Sequence, residues 1–366
     1  MLNIAFRVDG GKNVGLGHIV RCLSLAHAFR QNGHKVYFLS KLKEGIEKAG
    51  QENFDVVRLS SVEQEIEGFF YGNSTQLVSE ALEITSLLLT YQIDVLVLDT
   101  YNVSNEYFLA LKEYVGSLVY IDDVNKFTYP VDIIINGNIT GEFLGYQKYD
   151  QRQVLLLGPK YNMIRDEFAN IVPRDVKEKP EEIMITTGGA DPYRLTDKLL
   201  VILLKKDEYR HIRFNVLVGS SFIDCGYLDN LSKNYGNVFL YANSDLSYKL
   251  PSIIQSEISA IMLRSDLAIS AGGSTLYELA ACGTPALSVI LADNQEGIVR
   301  KMDELGYVMN LGWYNQLNKD LVLDKLREMI DDFPRRREMS AKGQRLVDGK
   351  GVERIVWSIL QNLEDN

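Results

Sequence analysis

Cysteine is scarce in this chain. Cys22, Cys225 and Cys282 are the three thiols in 366 residues. An odd, scattered set without a C-x-x-C pair supports no disulfide framework and fits a reducing compartment. Histidine is nearly as rare, with four: His18, His27, His34 and His211. They form no H-E-x-x-H or other zinc spacing. His18 and Cys22 could share a helix face, but two ligands do not make a metal site, and neither metal nor cofactor is expected. No apolar stretch approaches the roughly 18 residues of a membrane span. The start, MLNIAFRVDGG, lacks a basic segment followed by a long apolar run, so no signal peptide is expected. Blocks of Lys and Arg are also missing. With 39 basic and 49 acidic residues the formal charge is −10, which argues against a general nucleic-acid binder. The expectation is a cytoplasmic protein with no nucleic-acid partner and no integral membrane segment. A nucleotide-sized anion is not excluded, because a local site binds charge whatever the net sum.

What is present is ordinary globular composition, 46% hydrophobic and 24% charged. The length suggests two or three domains of roughly 100–200 residues each. Apolar runs alternate with helical patterns. Asn3 to Val8 reads as a strand, followed by a glycine-rich loop from Asp9 to Gly17. Ile19 to Phe29 repeats apolar residues at three- and four-residue spacing, Gly33 ends it, and Lys35 to Leu39 is the next strand. Strand, glycine loop, helix, strand is a βαβ signature. Further strands are expected at 54–59, 95–98, 117–121, 131–135 and 153–157, with helices at 75–91 and 105–115. Near-continuous Val/Ile/Leu runs mark strands covered on both faces, as in parallel sheets.

The run PRDVKEKP from Pro173 to Pro180 is charged, proline-bounded and without apolar periodicity, and reads as a linker. After it the pattern restarts. Strands are expected at 182–187, 214–218, 238–241, 267–270 and 285–290. Helices are expected at 192–204, near 253–263, at 274–282 and at 295–305, with three more from Leu321 onward. The chain thus reads as α/β, with two doubly wound Rossmann-like domains: residues 1–172, residues 181–345, and a C-terminal helix 346–366 that packs back on the first. Ligands of such sheets lie at the carboxyl ends of the strands, and two facing domains leave a cleft.

Gly15-Leu16-Gly17-His18 stands where the first strand turns into a helix, where glycines let backbone approach a ligand. Position 20 is Val, so the G-x-G-x-x-G dinucleotide fingerprint is incomplete. His18 sits at a helix start, where the dipole favours neutral imidazole, able to take a proton from water. The bland reading is a histidine that only satisfies loop backbone. Ser270-Ala271-Gly272-Gly273-Ser274-Thr275 ends a buried strand and opens a helix whose free amides suit a phosphate. Glu278, one turn in, could grip two ribose hydroxyls, or merely favour the helix dipole. Gly188 and Gly189 make a second glycine turn. Asp9, Arg21, Asp99, Tyr101, Asp122 and Asp123 could converge at strand ends, where aspartates also commonly cap loops.

These motifs together resemble the UDP-sugar hydrolases of pseudaminic acid biosynthesis (PseG-like). They equally resemble the SpsG-type spore-coat polysaccharide proteins, within the MurG-like GT-B superfamily. The resemblance rests on the GLGH loop leading to Arg21, on Gly188-Gly189, and on SAGGSTLYELAACGTP followed by Asp293-Asn294-Gln295. It runs over residues 1 to about 312 and implies a GT-B fold with two Rossmann-like domains facing across a cleft. It implies that His18 acts on the attacking water and that Tyr101 lies near the sugar. It places Ser274 and the preceding glycines at a diphosphate, Glu278 on ribose, and Asn294 and Gln295 toward the sugar. Asp9, Gly15, Gly17, Arg21 and Thr275 complete the expected substrate contacts. The implied partner is a UDP-sugar. The implied activity is its hydrolysis without a metal, with glycosyl transfer on the same fold as the alternative.

Overall fold

The computed structural model describes residues 1–11, 14–60, 74–219, 221–222, 224–243 and 252–365. The chain forms two compact units, Met1–Asp166 with Lys350–Asn366, and Glu167–Gly349. The first unit holds β1 (Asn3–Val8), α1 (Gly17–Gln31), β2 (Lys35–Ser40), α2 (Lys43–Gln51), β3 (Asp55–Arg58) and α3 (Ser74–Tyr91). It continues with β4 (Val95–Asp99), α4 (Asn105–Lys112), β5 (Ser117–Ile121), β6 (Ile133–Asn136) and β7 (Val154–Leu157). The second holds β8 (Glu182–Thr186), α5 (Leu195–Leu204), β9 (Arg213–Leu217), α6 (Gly226–Asn234), β10 (Val238–Asn243), β11 (Ile253–Ser256) and α7 (Ile258–Arg264). After these come β12 (Leu267–Ala271), α8 (Thr275–Ala281), β13 (Ala286–Ile290), α9 (Asp293–Glu304), β14 (Met309–Trp313), α10 (Lys319–Asp331) and α11 (Phe333–Leu346). The last helix, α12 (Gly351–Glu364), returns to the first unit.

Each unit is a seven-stranded sheet, ordered β3-β2-β1-β4-β5-β6-β7 and β11-β10-β9-β8-β12-β13-β14. The pairs flanking each centre are parallel. The strand order reverses between β1 and β4 in the first unit and between β8 and β12 in the second. A reversal sends the two flanking crossovers to opposite faces and opens a crevice at the carboxyl ends of those strands.

The pleat of β1 divides the first core. Ile4, Phe6 and Val8 bury against α1 and α12, while Ala5 faces the side of α3 and α4. Helix α12 contributes Val352, Ile355, Val356 and Ile359, all buried at i, i+3, i+4 and i+7. Burying each such side chain is worth on the order of 1.5–3 kcal/mol. This stripe is why the tail leaves the second unit.

Two expectations need correction. The Pro173–Pro180 run is not the crossover, because the chain passes between units at 166/167 and 349/350. Two arginines bind the run to the second unit. Fully buried Arg336 donates to the carbonyls of Lys177 and Glu178 at 3.1 and 2.6 Å, and Arg174 donates to Met262 and Ser265 carbonyls at 3.3 and 2.5 Å. The segment near 253–263 is not one helix. The β-branched pair Ile253-Ile254 adds edge strand β11 to β10, and α7 follows. Helices α2 and α6 and strand β14 were not anticipated. The two helices carry few apolar residues, and Gly312 interrupts the apolar run of β14. Among the described residues, no helix is long and apolar enough to cross a membrane.

Candidate active site

The carboxyl ends of β1, β4 and β5 bring the first set of residues together. Helix α1 begins at Gly17, just past a tight loop in which Gly11 and Gly15 exchange backbone hydrogen bonds at 3.1 and 2.8 Å. Lys12 and Asn13 of that loop lie outside the described residues. His18 and Arg21, three apart, share one face of the first turns of α1. Asp99 closes β4, two residues before Tyr101, and Asp123 follows β5.

His18 Nδ1 lies 2.6 Å from Asp99 Oδ1. Arg21 Nη2 also lies 3.1 Å from Nδ1. The shorter contact is with a carboxylate, which only accepts, so Nδ1 is assigned the proton, and in the neutral ring Nε2 is then the acceptor, without a partner among the described residues. Arg21 donates through Nε to Asp99 Oδ2 and through Nη2 to Asp99 Oδ1, both at 2.6 Å. Its Nη1 reaches both oxygens of Asp123 at 3.0 and 2.9 Å. Asp123 also accepts from the Tyr101 hydroxyl at 2.7 Å and from Asn138 Nδ2 at 2.7 Å. The rings of His18 and Tyr101 meet edge to face, with centroids 5.1 Å apart. The result is one connected set, His18–Asp99–Arg21–Asp123–Tyr101, beside a small hollow lined by Asp9, Val14, His18, Asp99, Thr100 and Tyr101.

Its electrostatics follow from burial and pairing. Burial by itself would raise the Asp99 carboxyl, but the Arg21 guanidinium and His18 hold it well below the usual carboxylate range. Burial, and then the Asp123 carboxylate, push the Tyr101 phenol far above its usual range. Tyr101 therefore stays neutral and is no base at physiological pH. Cys22, fully buried on α1, donates to Asp99 Oδ2 from behind at 3.4 Å.

Asp9 has a different setting. Its Oδ1 accepts from Ser40 Oγ and the Lys41 amide at 3.0 and 2.6 Å, and its Oδ2 pairs with Arg7 at 2.7 Å. Arg7 continues to Glu80 at 2.5 Å, and Glu80 also pairs with Lys41 and accepts from Tyr107. This balanced quartet of two cations and two anions, all nearly buried, braces the start of the loop that leads into α1 and His18. Asp122 also departs from the set. It accepts from the Tyr146 hydroxyl and the Asn125 amide at 2.5 and 2.7 Å, away from Arg21.

The second set lies at the carboxyl ends of β8 and β12. Gly188 follows β8 with φ of 79°, a conformation that favours glycine. A Cβ there would meet Thr275 Oγ1 at 3.7 Å, so the two glycine turns adjoin. Gly189 is exposed, and its carbonyl accepts from the Ser221 amide at 2.8 Å. A Cβ on Gly272 would stand 2.5 Å from Val299 Cγ2 and 3.0 Å from Gln295 Cβ, so α9 packs against bare backbone. Gln295 spends its Oε1 on the Leu291 amide at 2.9 Å. Ser274 is exposed at the start of α8, Thr275 and Glu278 are half-buried, and Asn294 is exposed in the first turn of α9. Gly272, Gly273, Ser274, Thr275, Gly188 and Gly189 therefore border the strand-order reversal of the second sheet.

Asp99, Asp123 and Asn138 belong to the first set by geometry. The available signal was a polar residue just at or after a buried strand, which Asp122 shares. Among the described residues, no three His, Cys, Asp or Glu side chains gather as a metal site.

No protein-family model matches the chain. An uncharacterized protein of Methanocaldococcus jannaschii is 28% identical over 306 residues, covering 80% of this chain and 56% of its own. The spore coat polysaccharide biosynthesis protein SpsG of Bacillus subtilis is 23% identical across 99% of this chain and 98% of its own. A Helicobacter pylori protein named as pseudaminic acid cytidylyltransferase and UDP-2,4-diacetamido-2,4,6-trideoxy-beta-L-altropyranose hydrolase is 26% identical over 58% of this chain and 37% of its own. The chain thus spans about half the length of the first of these relatives, nearly all of the second and about a third of the third. Its relatives include both kinds of protein whose motifs it resembles. Among solved structures, MurG of Acinetobacter baumannii superposes with a TM-score of 0.68 at 14% identity, covering 98% of this chain and 99% of the other. UDP-GlcNAc 2-epimerase from Neisseria meningitidis, bound to UDP-GlcNAc, gives 0.63 at 13% identity, covering all of both chains. The fold is the GT-B fold of two Rossmann-like domains.

Proposed function

We propose that this protein is an enzyme acting on a nucleotide-activated sugar in surface-glycan biosynthesis. Its specific reaction is hydrolysis of a UDP-linked amino or deoxy sugar to free sugar and UDP, of the kind used in nonulosonic (pseudaminic-acid-like) or surface polysaccharide synthesis. The observation that carries the reading is the His18–Asp99 pair at the strand-order reversal of the first sheet. Asp99 fixes the tautomer and orients the ring, which leaves Nε2 as the base.

In this reading water donates a hydrogen bond to His18 Nε2 and attacks the anomeric carbon. The bond from that carbon to the diphosphate oxygen breaks, and UDP leaves with the bonding pair. The proton taken by His18 passes to solvent. Imidazolium is stabilised by Asp99 as it forms. Tyr101, kept neutral, orients sugar or water through its hydroxyl. Backbone amides at Gly272, Gly273 and Ser274, with Thr275 and the Gly188-Gly189 turn, stabilise the departing diphosphate. Glu278 accepts from the ribose hydroxyls, and Asn294 and Gln295 lie toward the sugar. The name of the SpsG relative supports a role in polysaccharide synthesis, and that of the H. pylori relative supports a uridine nucleotide.

A second reading is glycosyl transfer, favoured by the MurG likeness and by a base that serves an acceptor hydroxyl as well as water. Purified protein incubated with UDP-sugars, with and without candidate acceptors, separates the two. Free sugar and UDP without acceptor support hydrolysis. Turnover that requires an acceptor overturns it, and no turnover with either makes the chain a binding protein.

A further inference from the structure

Arg21 holds two carboxylates from different strand ends, each nitrogen of its guanidinium reaches one of them, and Nη2 also lies 3.1 Å from His18 Nδ1. Nε and Nη2 occupy both oxygens of Asp99, and Nη1 occupies both oxygens of Asp123. The side chain is only 20% exposed. A phosphate at Arg21 would compete with these carboxylates, at the cost of charge-assisted bonds as good as those it would gain. We propose that Arg21 is a positioning residue, which clamps Asp99 to Asp123 so that His18 and Tyr101 are held as one unit, and which does not bind the nucleotide.

The geometry gives the clamp two functions. Arg21 fixes the Asp99 plane, so that Oδ1 accepts from His18 Nδ1. It also reaches Asp123, which in turn accepts from Tyr101 and Asn138. Its planar fork matches this double grip, whereas a lysine ammonium is a point charge and cannot span both carboxylates. The clamp also sets the charge around the base. With neutral imidazole, Asp99, Arg21 and Asp123 sum to one negative charge, and without Arg21 they sum to two. The other polar groups facing His18 do not offset that change. Asp9 is paired with Arg7, Tyr101 is neutral, and Cys22 donates its thiol proton to Asp99. Loss of Arg21 therefore stabilises imidazolium and withdraws the base over a wider pH range.

This inference rests on the hydrolase reading only where turnover is measured. The decisive experiment is NMR titration of the imidazole signals in the full chain. Four histidines are few enough to resolve, and His18→Asn identifies the His18 signal. Arg21→Met should raise the His18 midpoint above that of the parent, the effect of uncovering neighbouring carboxylates. The acid limb of turnover should move by the same amount. Arg21→Lys should leave the midpoint near that of the parent yet lower turnover by about tenfold or more. UDP affinity, measured by calorimetry, should change little in either variant. An unmoved His18 midpoint in Arg21→Met, with His27, His34 and His211 titrating as in the parent, overturns the proposal. So does loss of UDP binding with an unmoved midpoint, which makes Arg21 a ligand contact. If Arg21→Met does not fold, full turnover in Arg21→Lys overturns it equally. If the parent hydrolyses no UDP-sugar, the midpoint shift still decides the role of Arg21, and only the hydrolase reading fails.

Discussion

His18 Nδ1 and Asp99 Oδ1 lie 2.6 Å apart across 81 positions of chain. The parallel register makes this possible. Val8 pairs with Asp99 where β1 and β4 lie side by side, so the loop after β1 and the last residue of β4 emerge together. The contact is thus a consequence of strand order, and it assigns the imidazole proton to Nδ1.

Asp99→Asn reverses that assignment. A carboxamide keeps the shape but can donate to Nδ1, which drives the proton to Nε2 and removes the base. Turnover should fall by about 10²–10⁴-fold, as should that of His18→Asn and His18→Ala. UDP affinity should be nearly unchanged in all three. Steady-state kinetics with parallel calorimetry checks this. Near-normal hydrolysis by His18→Ala would remove the histidine from the mechanism.

Much of this was legible in the sequence. The βα alternation, the glycine turns and the strand ends all follow from local pattern, and with them the class of fold. What local pattern could not supply was side-chain direction. Asp122 and Asp123 are neighbours after one strand, yet one turns to Tyr146 and the other to Arg21. Arg7 sits between Phe6 and Val8 in a strand, and its partner Glu80 is 73 positions away. Nothing near Arg7 announces a buried ion pair. The Pro173–Pro180 run misled for a related reason. Its composition resembles a linker, but its carbonyls are held by an arginine about 160 positions away, with separations of 159 and 158.

Glu278 is expected to hold ribose from the first turn of α8. Hydrogen bonds to a charged group are worth about 1.5–3 kcal/mol. Glu278→Ala should therefore weaken UDP binding by roughly ten- to a hundred-fold, read by calorimetry. Equal affinity in the variant would make Glu278 a helix-start charge and nothing more.

Glu52 gives a pH test of stability away from the site. Its Oε2 lies 2.5 Å from His27 Nε2, and Lys48 pairs with its other oxygen at 2.8 Å. The hydrogen bond from His27, helped by Lys48 and opposed by burial, lowers the Glu52 carboxyl to about 2. A carboxyl whose folded value is depressed stabilises the fold above its unfolded value, and that contribution is lost as pH falls toward the folded value. The advantage of the parent over Glu52→Gln in melting temperature should thus be full above about pH 5. It should fade as pH falls toward about 2. A difference that stays constant down to that pH would show that the pair contributes nothing through ionisation.

Arg336 tests where the second unit begins. It is fully buried, and its guanidinium serves four carbonyls: Met329 and Ile330 at the end of α10, and Lys177 and Glu178 of the preceding run. The α10 carbonyls lie at a helix C-terminus, which attracts a cation. The other two hold a segment that belongs to no strand. Arg336→Met keeps much of the length of the stem but leaves these acceptors without their donor. Each charged hydrogen bond is worth about 1.5–3 kcal/mol. The four are not additive, so a loss of at least about 3 kcal/mol is expected. Urea unfolding should show it as a lower midpoint. Proteolysis should open the chain near Lys177 and Lys179 in the variant and leave it intact in the parent. Were Pro173–Pro180 a free hinge, the parent would be cut there too, and Arg336→Met would cost little.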